Sequence, residues 1–324
     1  MTSPNLSEIL TTTLQEQSGE WFDNFTENNA FFLTLKKKGL IEKVSGGYDL
    51  RHPLMYAENT TGMWFTGYQE LDITPQDVLT ASQFAWKQYA IAVSASGYEI
   101  RVNSGNKHQL KQLLAARIEN AKKTMANDLD EALFGDGTGD SGKTLTGIQA
   151  ALPTSNSTGT YGNISRASWT FWRHIVRQSS AFVSGGRTAA NFFSECDAVL
   201  NQLVRGREKI DIVLCGNTDF GYGLEALRSR QIISDSKMAE AGFDAFKHRG
   251  AEFVLCGGNG GHITDTYMYF LNTDYWKLQV HSDLFMEPID PADRTSVNQD
   301  ALVKLMGSMC NLTNGNLRQQ ALLY

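Results

Sequence analysis

Between Leu40 and Gly135 a long extended excursion runs straight into one unbroken amphipathic helix, and this pairing limits the folds open to the chain. The excursion, Leu40 to Val93, carries isolated apolar residues among Gly, Thr, Asn, Gln and Asp, too few and too irregular to form a core of its own. The helix places Leu110, Leu114, Ile118, Ala121, Met125, Leu129 and Ala132 three or four positions apart, which keeps one apolar stripe on one face. About 29 residues rising ~1.5 Å each make a rod of roughly 43 Å. A long arm joined to a long rod suits a subunit that reaches over its neighbours and fits a compact enzyme poorly.

The chain's 324 residues have room for one large or two medium domains with a substantial core. With 41% hydrophobic and 20% charged residues and a net charge of −6, the composition is that of an ordinary soluble protein. Mild acidity argues against coating nucleic acid, which needs a basic surface to neutralise phosphates. No run approaches the ~18 apolar residues of a membrane span. The first ten residues lack the basic-then-apolar order of a signal peptide, so a cytoplasmic protein is expected.

Cys196, Cys215, Cys256 and Cys310 form no closely spaced pair and are expected to be buried as small apolar residues. The histidines, His52, His108, His174, His248, His262 and His281, are equally scattered and show no metal-ligand spacing. No catalytic, cofactor-binding or metal residues are assigned. Trp21, Phe22, Phe25, Phe31, Phe32, Leu33 and Leu35 make the N-terminal arm too apolar for a solvated tail, so it packs on its own body or on a neighbour. Within it, Leu6, Ile9, Leu10 and Leu14 predict one short helix and Trp21 to Asn28 a second, and Lys36-Lys37-Lys38-Gly39 ends the arm.

Leu40 to Tyr56 reads as extended, interrupted at Ser45-Gly46-Gly47 and at Pro53, and Ala57 to Thr80 is rich in turns. Phe84, Trp86, Tyr89, Ile91 and Val93 mark a returning strand with a change of phase near Gln88, completing a long two-stranded hairpin. Such a hairpin is marginal alone and needs a surface to lie on. From Trp169 the texture becomes α/β. A helix is predicted over Ala189 to Val204, and strands over Ile210 to Cys215 and Phe253 to Cys256 both end in glycine. Those two strands are expected to be central neighbours with the helix Phe220 to Arg230 between them. Further strands are predicted over Tyr267 to Leu271, Trp276 to Val280, Ala301 to Met309 and Arg318 to Leu323.

Gly137 to Thr144 matches the phosphate-binding pattern G-x-x-x-x-G-K-[ST] letter for letter. That chemistry needs a buried strand before the loop and a helix after it, so that backbone N–H groups and the helix N-terminus meet phosphate. Here a helix precedes it, Gly147 and Pro153 interrupt the residues after it, and Asp136 and Asp140 would repel phosphate. The match is read as a polar loop. Gly257 to Gly261 is no dinucleotide fingerprint either, because Ile263 stands where the third glycine belongs. Cys256 with His262 is read as core rather than as nucleophile and base. Asp128, Asp130 and Glu131, at the helix end where the dipole disfavours them, are expected on a solvated or inter-subunit face.

Several stretches, taken in order, carry a resemblance. They include Pro53 to Asn59, Trp86 to Tyr89, Ala132 to Gly139, Gly147 to Ala150, Ile164 to Arg173, Tyr269 to Thr273, Val297 to Ala301 and Asn311 to Leu322. With the order of arm, hairpin, long helix, loop and α/β body, the chain resembles tailed-phage major capsid proteins of the Hong Kong 97-type fold over nearly its whole length. The resemblance implies an α+β fold with an N-terminal arm (1–39), an extended hairpin or E-loop (40–93), and a peripheral domain (94–164) holding a spine helix at about 106–134. An α/β axial domain (165–280) and strands returning to the peripheral domain (281–324) would follow. It implies a non-enzymatic subunit that forms pentamers and hexamers in an icosahedral shell around double-stranded DNA, without sequence-specific binding or membrane contact. Such a subunit is assembled in the host cytoplasm and resides in the virion. Portal and decoration proteins are implied partners, and a chain that starts directly with the arm is expected to use a separate scaffolding protein. An encapsulin-type compartment shell is the alternative within the same fold, and a P-loop nucleotide hydrolase the alternative outside it.

Charge suggests how copies could meet. Residues 57–80 hold Glu58, Glu70, Asp72 and Asp77 and no Lys or Arg, whereas residues 101–123 hold Arg101, Lys107, Lys111, Arg117, Lys122 and Lys123 against Glu119 alone. The acidic hairpin tip is expected to lie on the basic spine face of the next subunit, guiding register more than supplying affinity. The competing reading is two solvated faces that never meet.

Overall fold

The computed structural model describes residues 30–102, 107–179, 186–206, 208–228, 245–258, 261–289, 294–295 and 300–324. The two short helices predicted before Asn29 lie outside the described residues. Helix α1 (Ala30–Lys37) opens the described chain and buries Phe31, Phe32 and Leu35 on the protein's own body. Lys36 and Lys37 occupy its last turn, where cations complement the dipole. Gly39 follows at φ +69°, a left-handed conformation that glycine adopts without strain. The Leu40 N–H then reaches the Leu35 carbonyl (3.0 Å) and the Gly39 N–H the Lys36 carbonyl (3.2 Å), closing the helix end.

Strand β1 (Ile41–Val44) follows, and after the break at Ser45-Gly46-Gly47 come β2 (Asp49–Met55), β3 (Leu79–Ala85) and β4 (Lys87–Ser96). A short helix α2 (Gly97–Val102) leads to the long helix α3 (Lys107–Phe134). Then come α4 (Ile148–Ala151), β5 (Thr160–Tyr161), β6 (Ile164–Ser165) and β7 (Ile175–Arg177). The α/β part holds α5 (Phe192–Leu203), β8 (Ile212–Cys215), α6 (Asn217–Arg228), β9 (Ala245–His248), β10 (Ala251–Leu255) and β11 (Met268–Leu271). The chain closes with β12 (Trp276–Pro288), β13 (Arg294–Thr295), β14 (Ala301–Asn314) and β15 (Ala321–Leu323).

Two sheets organise these elements. One has the order β7-β15-β11-β8-β10-β9, with β8 and β10 parallel and adjacent, the neighbours expected from their matching glycine ends. The glycine after β8 is needed for a close approach, since a Cβ at Gly216 would lie 2.4 Å from the Thr264 carbonyl oxygen. Helix α5 buries the predicted stripe Phe192, Cys196, Val199, Leu200 and Leu203 against this sheet, where Phe246 and Phe253 stack with centroids 4.8 Å apart. The second sheet has the order β1-β12-β14-β13, with β4 also on β14. Strand β14 organises it, pairing with β4 from Ala301 to Cys310 and with β12 from Met306 to Asn314, the latter with register shifts between Val280 and Glu287.

Several expectations are corrected. Pro53 does not interrupt its strand but pairs with Ala81 inside β2, which is tolerable because a strand of a two-stranded ribbon leaves one edge unpaired. The predicted long hairpin is a ribbon only in β2 and β3. Its two roots diverge at the Gly46-Gly47 and Trp86 breaks, β1 to β12 and β4 to β14. The C-terminal strands do not all return to the long helix's sheet, since β15 inserts between β7 and β11. On α3 the stripe is buried at Ala121, Met125 and Leu129 but passes to Leu133 rather than Ala132, and the side chains of Leu110 and Leu114 lie outside the described residues. Asp130, expected on an outer face, is 0% exposed and accepts the Phe32 N–H.

All four cysteines are free and buried. Burial pushes the Cys310 thiol up to about 12 and the Cys256 thiol well above its ordinary value, the reverse of what a nucleophile needs.

Candidate inter-subunit surface

The hairpin is built in two halves. Near its root, alternation along β2 and β3 turns Leu50, Leu54, Ser82 and Phe84 inward, and Ser82 and Phe84 lie against Gly162 and Tyr161 of the protein's own segment 148–173. Phe84 meets Tyr161 edge-on at 5.0 Å, Tyr56 meets Trp169 at 5.3 Å, and the Gln83 N–H donates to the Gly162 carbonyl at 2.9 Å. The platform beneath is fixed by Arg166, which is 2% exposed. Its guanidinium donates to the Ala150 and Ala151 carbonyls, 2.7 Å each, and lies 5.5 Å from the Tyr161 ring centre. These carbonyls end α4, where a cation is favoured. Burial pushes the guanidinium pKa down, and the Tyr161 hydroxyl's up.

Past Tyr56 the hairpin makes none of these contacts. Residues 56–78 contain no helix or strand, and Trp64 (101%), Tyr68 (107%) and Ile73 (90%) are as open to solvent as side chains can be. Met55, Phe65, Leu71 and Leu79 extend this exposed apolar strip. A chain does not gain by presenting that much aromatic surface to water, and such strips mark interaction surfaces.

The predicted acidic residues lie within this half. Glu58, Glu70, Asp72 and Asp77 are all exposed. Asp72 accepts hydrogen bonds from the Thr74 hydroxyl (2.6 Å) and N–H (2.9 Å), which hold its carboxyl below the usual range.

The predicted basic set is more engaged than its sequence implies. Arg101 pairs with Asp300 at 2.6 Å, Arg117 with Glu99 at 2.9 Å and Lys123 with Glu119 at 3.2 Å. Lys122 is exposed and has no ion-pair partner among the described residues. The side chains of Lys107 and Lys111 lie outside the described residues. Among the described residues no ion pair joins the acidic and basic sets within one chain.

A second surface was not foreseen. A cleft of about 850 Å³ opens between the C-terminal end of α3, the start of β4 and the loop 135–145. Tyr89 donates its hydroxyl to Asp128 there, and Lys87 donates to the Gly142 carbonyl. The phosphate-loop match forms one wall: α3 precedes it, and Asp140 and Ser141 take left-handed φ of +48° and +59°. Only spatial proximity, invisible to local pattern, could have shown Tyr89 and Asp128 to be partners.

No protein-family model matches the chain, and no curated protein matches it. Solved structures do. The capsid asymmetric unit of cyanophage A-1(L) is similar with a TM-score of 0.67 at 16% identity, covering 94% of each chain. The capsid of a native GTA particle is similar with a TM-score of 0.57 at 12% identity, over 100% of this chain and 95% of that one. The holo-SrpI encapsulin complex of Synechococcus elongatus is similar with a TM-score of 0.51 at 8% identity, over 96% and 94%. The fold is therefore α+β of the phage-capsid, Hong Kong 97-like kind, with its long spine helix and its α/β body.

Proposed function

We propose that this chain is the repeating structural subunit of an icosahedral phage head, a major capsid protein that encloses double-stranded DNA. One observation carries the reading. A chain that follows phage capsid subunits end to end also projects a hairpin rooted on its own body, with an outer half whose aromatic and aliphatic side chains stand open to solvent. Repeated around a symmetric shell, many modest contacts of that kind add up to a stability no single one has. In this reading residues 40–93 are the loop that overlies a neighbour, 94–164 carry the spine, and 165–280 surround the five-fold and six-fold axes. The last segment, 281–324, ties these parts together. A scaffolding protein, a portal and decoration proteins are the further partners, the virion is the destination and the host cytoplasm the place of assembly. The role is mechanical, and no reaction is assigned.

We further propose that Glu58, Glu70, Asp72 and Asp77 of one subunit face the basic side of a neighbour's spine. Because Arg101, Arg117 and Lys123 already have carboxylate partners in their own chain, Lys122 is, among the described residues, the cation of this set best placed to answer them. Sedimentation velocity of the protein expressed alone and with its scaffolding partner tests the reading. Megadalton particles support it, and monomers or dimers under both conditions oppose it. The encapsulin likeness keeps a second reading, a compartment shell, which the contents of purified particles separate: packaged protein rather than DNA would favour it.

A further inference from the structure

Helix α1 is held at both ends by different parts of the molecule. At its start the Phe32 N–H donates to Asp130 Oδ1 of the spine helix at 2.8 Å. First-turn N–H groups lack partners within their own helix, and the positive end of the dipole favours a carboxylate there. Phe31 packs on Phe134 of the spine with ring centroids 5.6 Å apart, and Thr34 and Leu35 are buried beneath. At the other end Lys38 pairs with Asp211, which directly precedes β8 in the α/β body and also accepts the Thr273 N–H at 2.9 Å. Two residues on, the Leu40 carbonyl accepts the Leu278 N–H at 3.0 Å and β1 begins its run along β12.

We propose that α1 is a two-ended clamp joining the spine helix to the α/β body, with Asp130 and Asp211 as its latches, so that opening either latch releases the whole helix. The reason is its length. Eight residues are fewer than the ~12–15 that a helix needs to persist in water without tertiary support. Undocked at one end, α1 loses the packing that keeps it helical and cannot hold the other latch. The chain preceding Ala30 joins α1 at the Asp130 latch, so a partner that binds or pulls on that arm acts on the tie between spine and body. This inference stands on contacts within one chain and does not depend on the shell reading.

Trypsin tests it on the full-length protein at Lys36, because the Lys36–Lys37 bond lies within α1 and must leave the helix to be cut. Asp130→Ala is expected to speed cleavage there about tenfold or more, the scale of losing a hydrogen bond to a buried charge. Asp211→Asn, at the far end, weakens the partly exposed pair with Lys38 and is expected to raise amide exchange at residues 31–34 about two- to fivefold. Asp130→Asn keeps an acceptor oxygen and is expected to stay within about twofold of the parent. If Asp130→Ala frees only residues 31–33 while the Lys36–Lys37 bond stays resistant, the ends act separately and the clamp is wrong. Protection of residues 31–34 in Asp211→Asn contradicts it equally. Thermal melts establish that each variant's body is folded. Should Asp130→Ala not fold, the Asp211→Asn exchange result decides alone.

Discussion

Arg117 of the spine helix holds Glu99 in a two-pronged grip, with nitrogen–oxygen distances of 2.9 and 3.2 Å, and also donates to the Ser94 carbonyl at 2.7 Å. One guanidinium thus ties the end of β4 and the short helix α2 to the long helix after them. The pair is about four-fifths buried, so it is screened less than a surface ion pair. Its charge serves the protein's own fold and is only partly available to another molecule.

Replacing Arg117 with Met is therefore expected to cost about 1–2 kcal/mol, between the ranges for exposed and for charged, partly buried hydrogen-bonded groups. Glu99, held below the usual carboxylate range chiefly by Arg117, should titrate closer to its ordinary value in that variant. Urea unfolding and carboxyl-resolved NMR titration of the monomer check the two effects.

Trp64→Ser combined with Tyr68→Ser is expected to leave the monomer's melting temperature unchanged, because neither side chain touches its own body. Assembly should fail or need a much higher protein concentration, since buried aromatics dominate interface energies. Thermal melts and sedimentation of the same preparation separate the two effects.

Reversing Glu58, Glu70, Asp72 and Asp77 to Lys is expected to slow assembly most at low salt and to leave folding intact. Lys122→Glu should slow the parent's assembly and partly restore that of the four-Lys variant. Light-scattering kinetics at two salt concentrations check this, and normal kinetics in the four-Lys variant would remove the charge argument.

His174 sets a pH dependence. It is 1% exposed, its Nε2–H donates to the Pro153 carbonyl at 2.8 Å, and burial pushes the imidazole down to about 4. The unfolded chain takes up the proton near pH 6.5, the native one only near 4. Its contribution is thus complete above pH 6.5 and lost as pH falls toward 4, about 3 kcal/mol in all. Asp219, pushed up to about 6 by burial, works in the opposite sense, adding stability at low pH that is lost as pH rises through 6. The parent's profile mixes the two, and the difference between the parent and His174→Gln isolates the histidine. That difference, from urea unfolding, should change between pH 6.5 and 4 and stay constant above 7.

Much of this was legible in the residues. Seven apolar positions predicted the spine helix, and two strands ending in glycine predicted that β8 and β10 are central neighbours, because periodicity and close backbone approach leave local marks. Asp130 was misplaced because its partner, the Phe32 N–H, lies 98 positions away and no local pattern records it. Arg101 read as part of a free charged face for the same reason, its partner Asp300 being 199 positions distant, whereas the Lys123–Glu119 pair, four apart on one helix, was open to the local pattern. Local order announces elements. It does not announce which charges folding will neutralise.

Negative-stain electron microscopy of the purified protein, expressed with and without a candidate scaffolding protein, is the sharpest test of the shell reading. The account predicts uniform icosahedral shells in at least one condition, and none from the Trp64→Ser, Tyr68→Ser variant. Small monodisperse particles with no shells in both conditions would contradict it.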